Sequence, residues 1–170
     1  MPRDLKLYIA GVVAAGAVAL VATTFVIPIN PMIGGGFRAL GEYSILAGLV
    51  FWTLVTLLAS ALPVRMPRGT LVGVSIAPLI AATVLGGPTA GAWVALLGTT
   101  EIREVRGRIP WYGSLANHAG LLLPTVAAGI VMRLFGVPGA SSELVTLAAT
   151  MLGSAAFFAI NATLTQRSCR

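Results

Sequence analysis

Residues 70–100 read TLVGVSIAPLIAATVLGGPTAGAWVALLGTT, an uninterrupted stretch with no charged side chain. It is longer than the roughly 20 apolar residues a helix needs to cross a hydrocarbon core of about 30 Å. The stretch is either one long helix or two spans meeting at Gly86-Gly87-Pro88, where Pro88 suits a first helical position. The choice fixes the side on which every later segment lies.

Positive charge decides it. With two spans, the N-terminal Arg3 and Lys6, the Arg65/Arg68 turn, the Arg103/Arg106/Arg108 loop and the tail residues Arg167 and Arg170 all face one side, leaving only Arg38 and Arg133 on the other. With one span the basic residues divide almost evenly, which the positive-inside rule disfavours. The expected arrangement is therefore an even number of passes with both termini cytoplasmic.

The remaining spans are long apolar runs. Leu7 to Ile27 is uncharged throughout and exceeds the 7–15 residues of a signal-peptide core, so it reads as a first transmembrane helix. The second helix covers 43–62 and is closed by Pro63 and the 65–69 turn. The last two cover 115–135 and 144–164, with Asn117, His118, Pro124 and Arg133 as exceptions in the former. The expected fold is all-α, a polytopic bundle of six transmembrane helices at about 7–27, 43–62, 70–86, 88–100, 115–135 and 144–164. The fourth is short, its apolar part from Thr89 to Thr100 reaching about 18 Å at 1.5 Å per residue. The charged sequence after it, EIREVRGR over 101–108, is expected to extend that helix, with Glu104 and Arg108 pairing at i,i+4 and Gly107 and Pro110 ending it. No linker divides the chain, which reads as a single membrane domain over 1–170 of a bacterial inner membrane.

Composition agrees: the 170 residues are 57% hydrophobic and 9% charged, with a mean hydropathy of +0.94. An ordinary soluble chain is about 25% charged, and this much apolar surface would exceed what soluble monomers tolerate. The expected partner is the lipid bilayer. A formal charge of +6 does not point to nucleic acid, because the basic residues sit in small groups between apolar runs. One cysteine, Cys169, excludes an intramolecular disulfide and a cysteine metal cluster, and one histidine excludes a multi-histidine site. No phosphate loop is present, and Asp4, Glu42, Glu101, Glu104 and Glu143 all fall at or outside membrane boundaries rather than where a proton relay would lie. No catalytic activity, cofactor or metal is expected.

The polar residues with binding potential are few. Asn117 and His118 lie near the cytoplasmic start of the fifth helix and either meet a ligand or sit at headgroup depth beside Trp111 and Tyr112. Arg133, near the other end, either contacts an anionic ligand or snorkels outward, alone or paired with Glu143. Residues 28–42, with Asn30, the Gly34-Gly35-Gly36 run and Arg38, either form a lid over a small apolar ligand or lie passively at the interface. Ala10, Ala14 and Ala22, with Ala15 and Ala19 beside them, let one face of the first helix approach another helix closely, within the bundle or on a membrane partner. Asn161 in the sixth helix reads as a packing hydrogen bond or a ligand contact. Pro78, Pro88 and Pro124 are placed to kink helices and free carbonyls.

Residues 95–118, ALLGTTEIREVRGRIPWYGSLANH, resemble a segment of the N-terminal multi-helix membrane regions of bacterial signalling proteins. Those regions precede cytoplasmic HD-type phosphohydrolase or diguanylate cyclase domains. The resemblance implies a sensory module whose output lies elsewhere, since these 170 residues hold no HD or cyclase motif. In that reading Glu101, Arg103, Glu104, Arg106, Arg108, Trp111 and Tyr112 either contact a cytoplasmic partner or form a solvated loop whose arginines only fix orientation. The architecture, with a small-residue first helix and a long outer first loop, is similar to the substrate-binding subunits of energy-coupling-factor vitamin transporters. That similarity implies partner docking at Ala10 and Ala14 and a ligand under the 28–42 loop.

Overall fold

The structure is a computed structural model describing residues 3–62, 64–65, 71–72, 74–136 and 141–168. Four long helices surround a shorter hairpin. Helix α1 runs Arg3–Val26, α2 Ser44–Ala61, α5 Trp111–Phe135 and α6 Glu143–Ser168. Between α2 and α5 lie α3, Ile76–Gly98, and the single turn α4, Ile102–Val105. By length and composition five helical stretches are long and apolar enough to cross a bilayer, α3 among them and the second including the segment that leads into α2.

α3 does not cross as one rod. At Gly87 the backbone leaves the helix with φ 80° and ψ −176°, a conformation essentially reserved for glycine, and Pro88 starts the second arm with its ring in place of an N–H that would have no partner. The arms, 76–86 and 88–98, fold back on each other: a Cβ built on Gly91 would collide with the Thr83 side chain, which a straight helix would hold about 12 Å away along its axis. Each arm is about 16 Å long, half the hydrocarbon thickness. Both expected segments are thus present and reverse at the expected glycines, but neither is a full span. The first also starts at Ile76 rather than at 70.

The two ends of the chain meet. Tyr8 Oη donates to the Leu164 carbonyl at 2.7 Å, so the start of α1 and the end of α6 share one end of the bundle, hereafter the terminal end. The hairpin tip lies at the opposite, distal end: Asn30 N–H donates to the Gly86 carbonyl at 3.0 Å, and Thr89 Oγ1 donates to the carbonyls of Thr23 and Ile27 at the end of α1.

The hairpin is the centre of the molecule. In α3, 61% of the apolar window is buried, against 44% in α5 and 17% in α1 and α6, so those outer helices present apolar faces outward. Leu79, Ala82, Ala92, Val94 and Ala95 of the hairpin pack with Leu122, Val126, Ala128 and Met132 of α5 and Phe157 of α6. The buried threonines fit this apolar setting because Thr56, Thr83, Thr99 and Thr125 each donate to the carbonyl four residues back. Small residues set the spacing: a Cβ on Gly129 would lie 2.6 Å from Pro88 Cα, and one on Gly16 would lie 3.0 Å from Ala119 Cβ.

Three further expectations are corrected. Residues 31–43 form 3₁₀ turns, interrupted at Phe37 and Gly41, rather than a loose loop; Asn30 caps the first by accepting from Met32 N–H, and Ile33 is buried. The sequence around the 65–69 turn adds a minimal sheet to an otherwise helical fold: Val64–Arg65 and Leu71–Val72 pair antiparallel, Val64 opposite Val72. The charged continuation of the fourth helix is absent, because the chain leaves helical geometry at Thr99 and makes only the four-residue α4. Pro63, residues 66–70, which include Arg68, and the tail residues Cys169 and Arg170 lie outside the described residues.

Candidate functional site

Two polar locations stand out, one at each end of α5. At the distal end a cavity of about 450 Å³ opens between Pro28–Pro31, the hairpin tip and the last turns of α5. Thr83, Val84, Gly87 and Pro88 line one wall, and Gly129, Met132, Arg133 and Gly136 the other. The wall is mostly apolar. Its one charged group is Arg133, which is exposed and makes no ion pair or hydrogen bond among the described residues. The expected alternative pairing with Glu143 is therefore absent, and the guanidinium stands unneutralised beside the cavity.

Of the expected lid residues, Asn30 lines this cavity. Gly34 does not hinge there: a Cβ on it would overlap the backbone of Ser44 at 2.6 Å, so it is the point where the 3₁₀ segment presses on α2. Gly35 and Gly36 face open space, and Arg38 is exposed away from the cavity. Sequence reasoning missed Thr83, Gly129 and Met132, because a threonine bonded to its own helix, a glycine and a methionine read as packing residues.

At the terminal end the α4 segment is tied to α5 by a buried polar cluster. Glu104 Oε1 accepts from Asn117 Nδ2 at 3.2 Å, and Glu104 Oε2 lies 3.0 Å from His118 Nε2. The side chains of Glu104 and His118 are only 6% and 13% exposed. On its other edge the His118 ring meets Thr99 Oγ1 through Nδ1 at 3.1 Å. Glu104 is thus covered by the protein itself rather than open to solvent. Its expected i,i+4 partner does not engage it, because the helix that would align them ends at Val105; Arg108 instead donates its backbone N–H to the Arg103 carbonyl at 2.9 Å.

The other loop residues face outward. Arg103 Nε donates to Glu101 at 2.9 Å, and Arg106 and Arg108 are exposed. Trp111 stacks edge-on against Tyr112, and both join Lys6 and Ala10 along an apolar groove of about 440 Å³ between α1 and α5. Ala10, Ala14 and Ala22 are exposed, because α1 turns Gly16 and Thr23 inward instead. The Asn161 side chain has no hydrogen-bond partner among the described residues and lines a second cavity of about 290 Å³ with Tyr8, Asn117 and Thr165. Among the described residues no group of three or more histidine, cysteine or acidic side chains could hold a metal. No protein-family model, curated protein or solved structure matches the chain.

Proposed function

We propose that this chain is a sensory module of a bacterial inner membrane, with both termini cytoplasmic, that binds a small, largely apolar anion in the distal cavity. Occupancy is passed along α5 to the charged 101–110 segment, where an output partner reads it. One observation carries the reading: α5 lines the cavity with Gly129, Met132 and Arg133 at one end and holds Glu104 through Asn117 and His118 at the other. Arg133 supplies the preference for an anion, since a cation beside an apolar wall has no internal counter-charge. The basic residues at the terminal end and the resemblance of residues 95–118 to membrane regions of signalling proteins support a cytoplasmic output.

Octanoate and octanol test it as probes of equal chain length and different charge. In the protein reconstituted in lipid nanodiscs, octanoate is expected to slow amide exchange at residues 29–33 and to change it at 103–108. Octanol is expected to do so more weakly, and Arg133→Ala to remove the difference. No effect of either probe at both segments would count against the reading.

A second reading, a substrate-binding subunit of a small-molecule transporter, is favoured by the exposure of Ala10 and Ala14, small residues that the bundle does not use for its own packing. It predicts that Ala14→Phe abolishes accumulation of the solute in cells while octanoate binding to the purified protein persists. Under the sensory reading both are unchanged.

A further inference from the structure

Helices α1 and α5 both start at the terminal end and touch at Gly16 and Ala119, where a Cβ on the glycine would lie 3.0 Å from the alanine Cβ. Between that contact and the terminal end runs the groove of about 440 Å³. Its lining is graded along the helices. Lys6 of α1 and Trp111 and Tyr112 of α5 stand at the mouth, and Ile9, Ala10, Val13 and Leu115 continue inward without a polar side chain. From Lys6 to Val13 the helix rises about 10 Å. A phospholipid has the same gradation, from a charged headgroup through the interfacial level where tryptophan and tyrosine are enriched to hydrocarbon.

The polar groups at the mouth have no partner within the protein. Lys6 is exposed and makes no ion pair or hydrogen bond among the described residues, and the Trp111 indole N–H and Tyr112 hydroxyl have no hydrogen-bond partner there. The acids of this end are engaged or turned away. Glu101 is held by Arg103 and Glu104 by Asn117 and His118, while Asp4, two residues from Lys6, does not share its face of α1. Arg3, one turn earlier on the Lys6 face, is also exposed. The mouth thus offers positive charge and hydrogen-bond donors above a hydrocarbon slot. An apolar helix laid there would leave the ammonium without a counter-charge, and a zwitterionic headgroup would bring a second cation to it. We propose that this groove binds one anionic phospholipid, with its phosphate on Lys6, Trp111 and Tyr112 and an acyl chain along Ile9, Val13 and Leu115. The proposal rests on the membrane-spanning character of α1 and α5 and is independent of the distal cavity.

Trp52→Phe together with Trp93→Phe leaves Trp111 as the only tryptophan of the full chain. In phosphatidylcholine nanodiscs holding a minority of dibrominated lipid, quenching of its fluorescence reads the lipid beside it. Dibrominated phosphatidylglycerol is expected to compete for the site about fivefold better than dibrominated phosphatidylcholine, the effect of one lysine on an anionic lipid. Lys6→Gln is expected to remove most of that preference, and so is Ala10→Leu, which fills the groove and keeps the charge. Arg106→Gln, exposed at the same end but outside the groove, is expected to leave it intact. Native mass spectrometry of the unaltered chain and the same three single variants repeats the comparison with every tryptophan in place, by counting the phosphatidylglycerol and phosphatidylcholine retained. Equal association of the two lipids, or a preference that survives Lys6→Gln or Ala10→Leu, overturns the proposal. A preference that falls as far with Arg106→Gln also overturns it, since diffuse charge at this end then suffices. Absence of quenching by either lipid does so too, and is the outcome for a groove covered by a second copy of the chain.

Discussion

The phenol of Tyr8 donates to the carbonyl of Leu164 at 2.7 Å, joining the first helix to the last across 156 residues. The bond closes the terminal end of the bundle, where α1 and α6 have few other polar links. Hydrogen bonds between helices in a membrane setting are worth about 0.6 kcal/mol on average. Tyr8→Phe is therefore expected to lower stability by about 0.5–1 kcal/mol. Unfolding in mixed detergent micelles would measure it, and an unchanged midpoint would mean that packing alone holds these helix ends.

A larger effect is expected at the hairpin tip. The backbone of Gly87 occupies a region that side chains avoid, at a cost of about 1–3 kcal/mol. Gly87→Ala should destabilise by about that amount even though its Cβ would meet open space, while Gly35→Ala, with open space and no positive φ, should be close to neutral. Equal midpoints for the two variants would show that Gly87 does not hold the left-handed backbone of the reversal.

Close approach of backbones gives a prediction of a different kind. A side chain at Gly16 meets Ala119 on α5, so Gly16→Leu forces the two helices apart and should cost about 1–3 kcal/mol, the usual penalty of overpacking. Ala14→Leu, two residues away on the opposite, exposed face, should cost less than about 0.5 kcal/mol. Comparison of the pair separates the packing face of α1 from its lipid face.

Arg133 should behave as a binding residue with little structural role. It has no partner among the described residues, so Arg133→Ala is expected to shift stability by no more than about 0.5 kcal/mol. Binding of octanoate to the same protein should weaken measurably, as calorimetry would show. A large loss of stability would identify the guanidinium as structural.

The long helices were legible because lipid leaves a one-dimensional signal: runs of about 20 apolar residues cannot be much else. The structure places α1, α2, α5 and α6 within a few residues of those runs. The break at Gly86-Gly87-Pro88 was legible for the same reason that glycine and proline mark turns anywhere. What hydropathy does not encode is depth. The arms are as apolar as full spans, and only their contacts with each other show that the chain turns back on itself. The 31–43 segment was obscured because glycine-rich sequence argues for a loop until a buried residue such as Ile33 pins it. Glu104 was misassigned by a local rule, i,i+4 pairing, that presupposes a continuous helix; its partners stand 13 and 14 residues away, and only the path of the chain brings them together.

The hairpin also belongs to only one of the two cavities. Thr83, Val84, Gly87 and Pro88 line the distal one, whereas the cavity beside Tyr8, Asn117 and Asn161 is walled by α1, α5 and α6 without a hairpin residue. A shift of the hairpin tip would therefore reshape the first and leave the lining of the second unchanged.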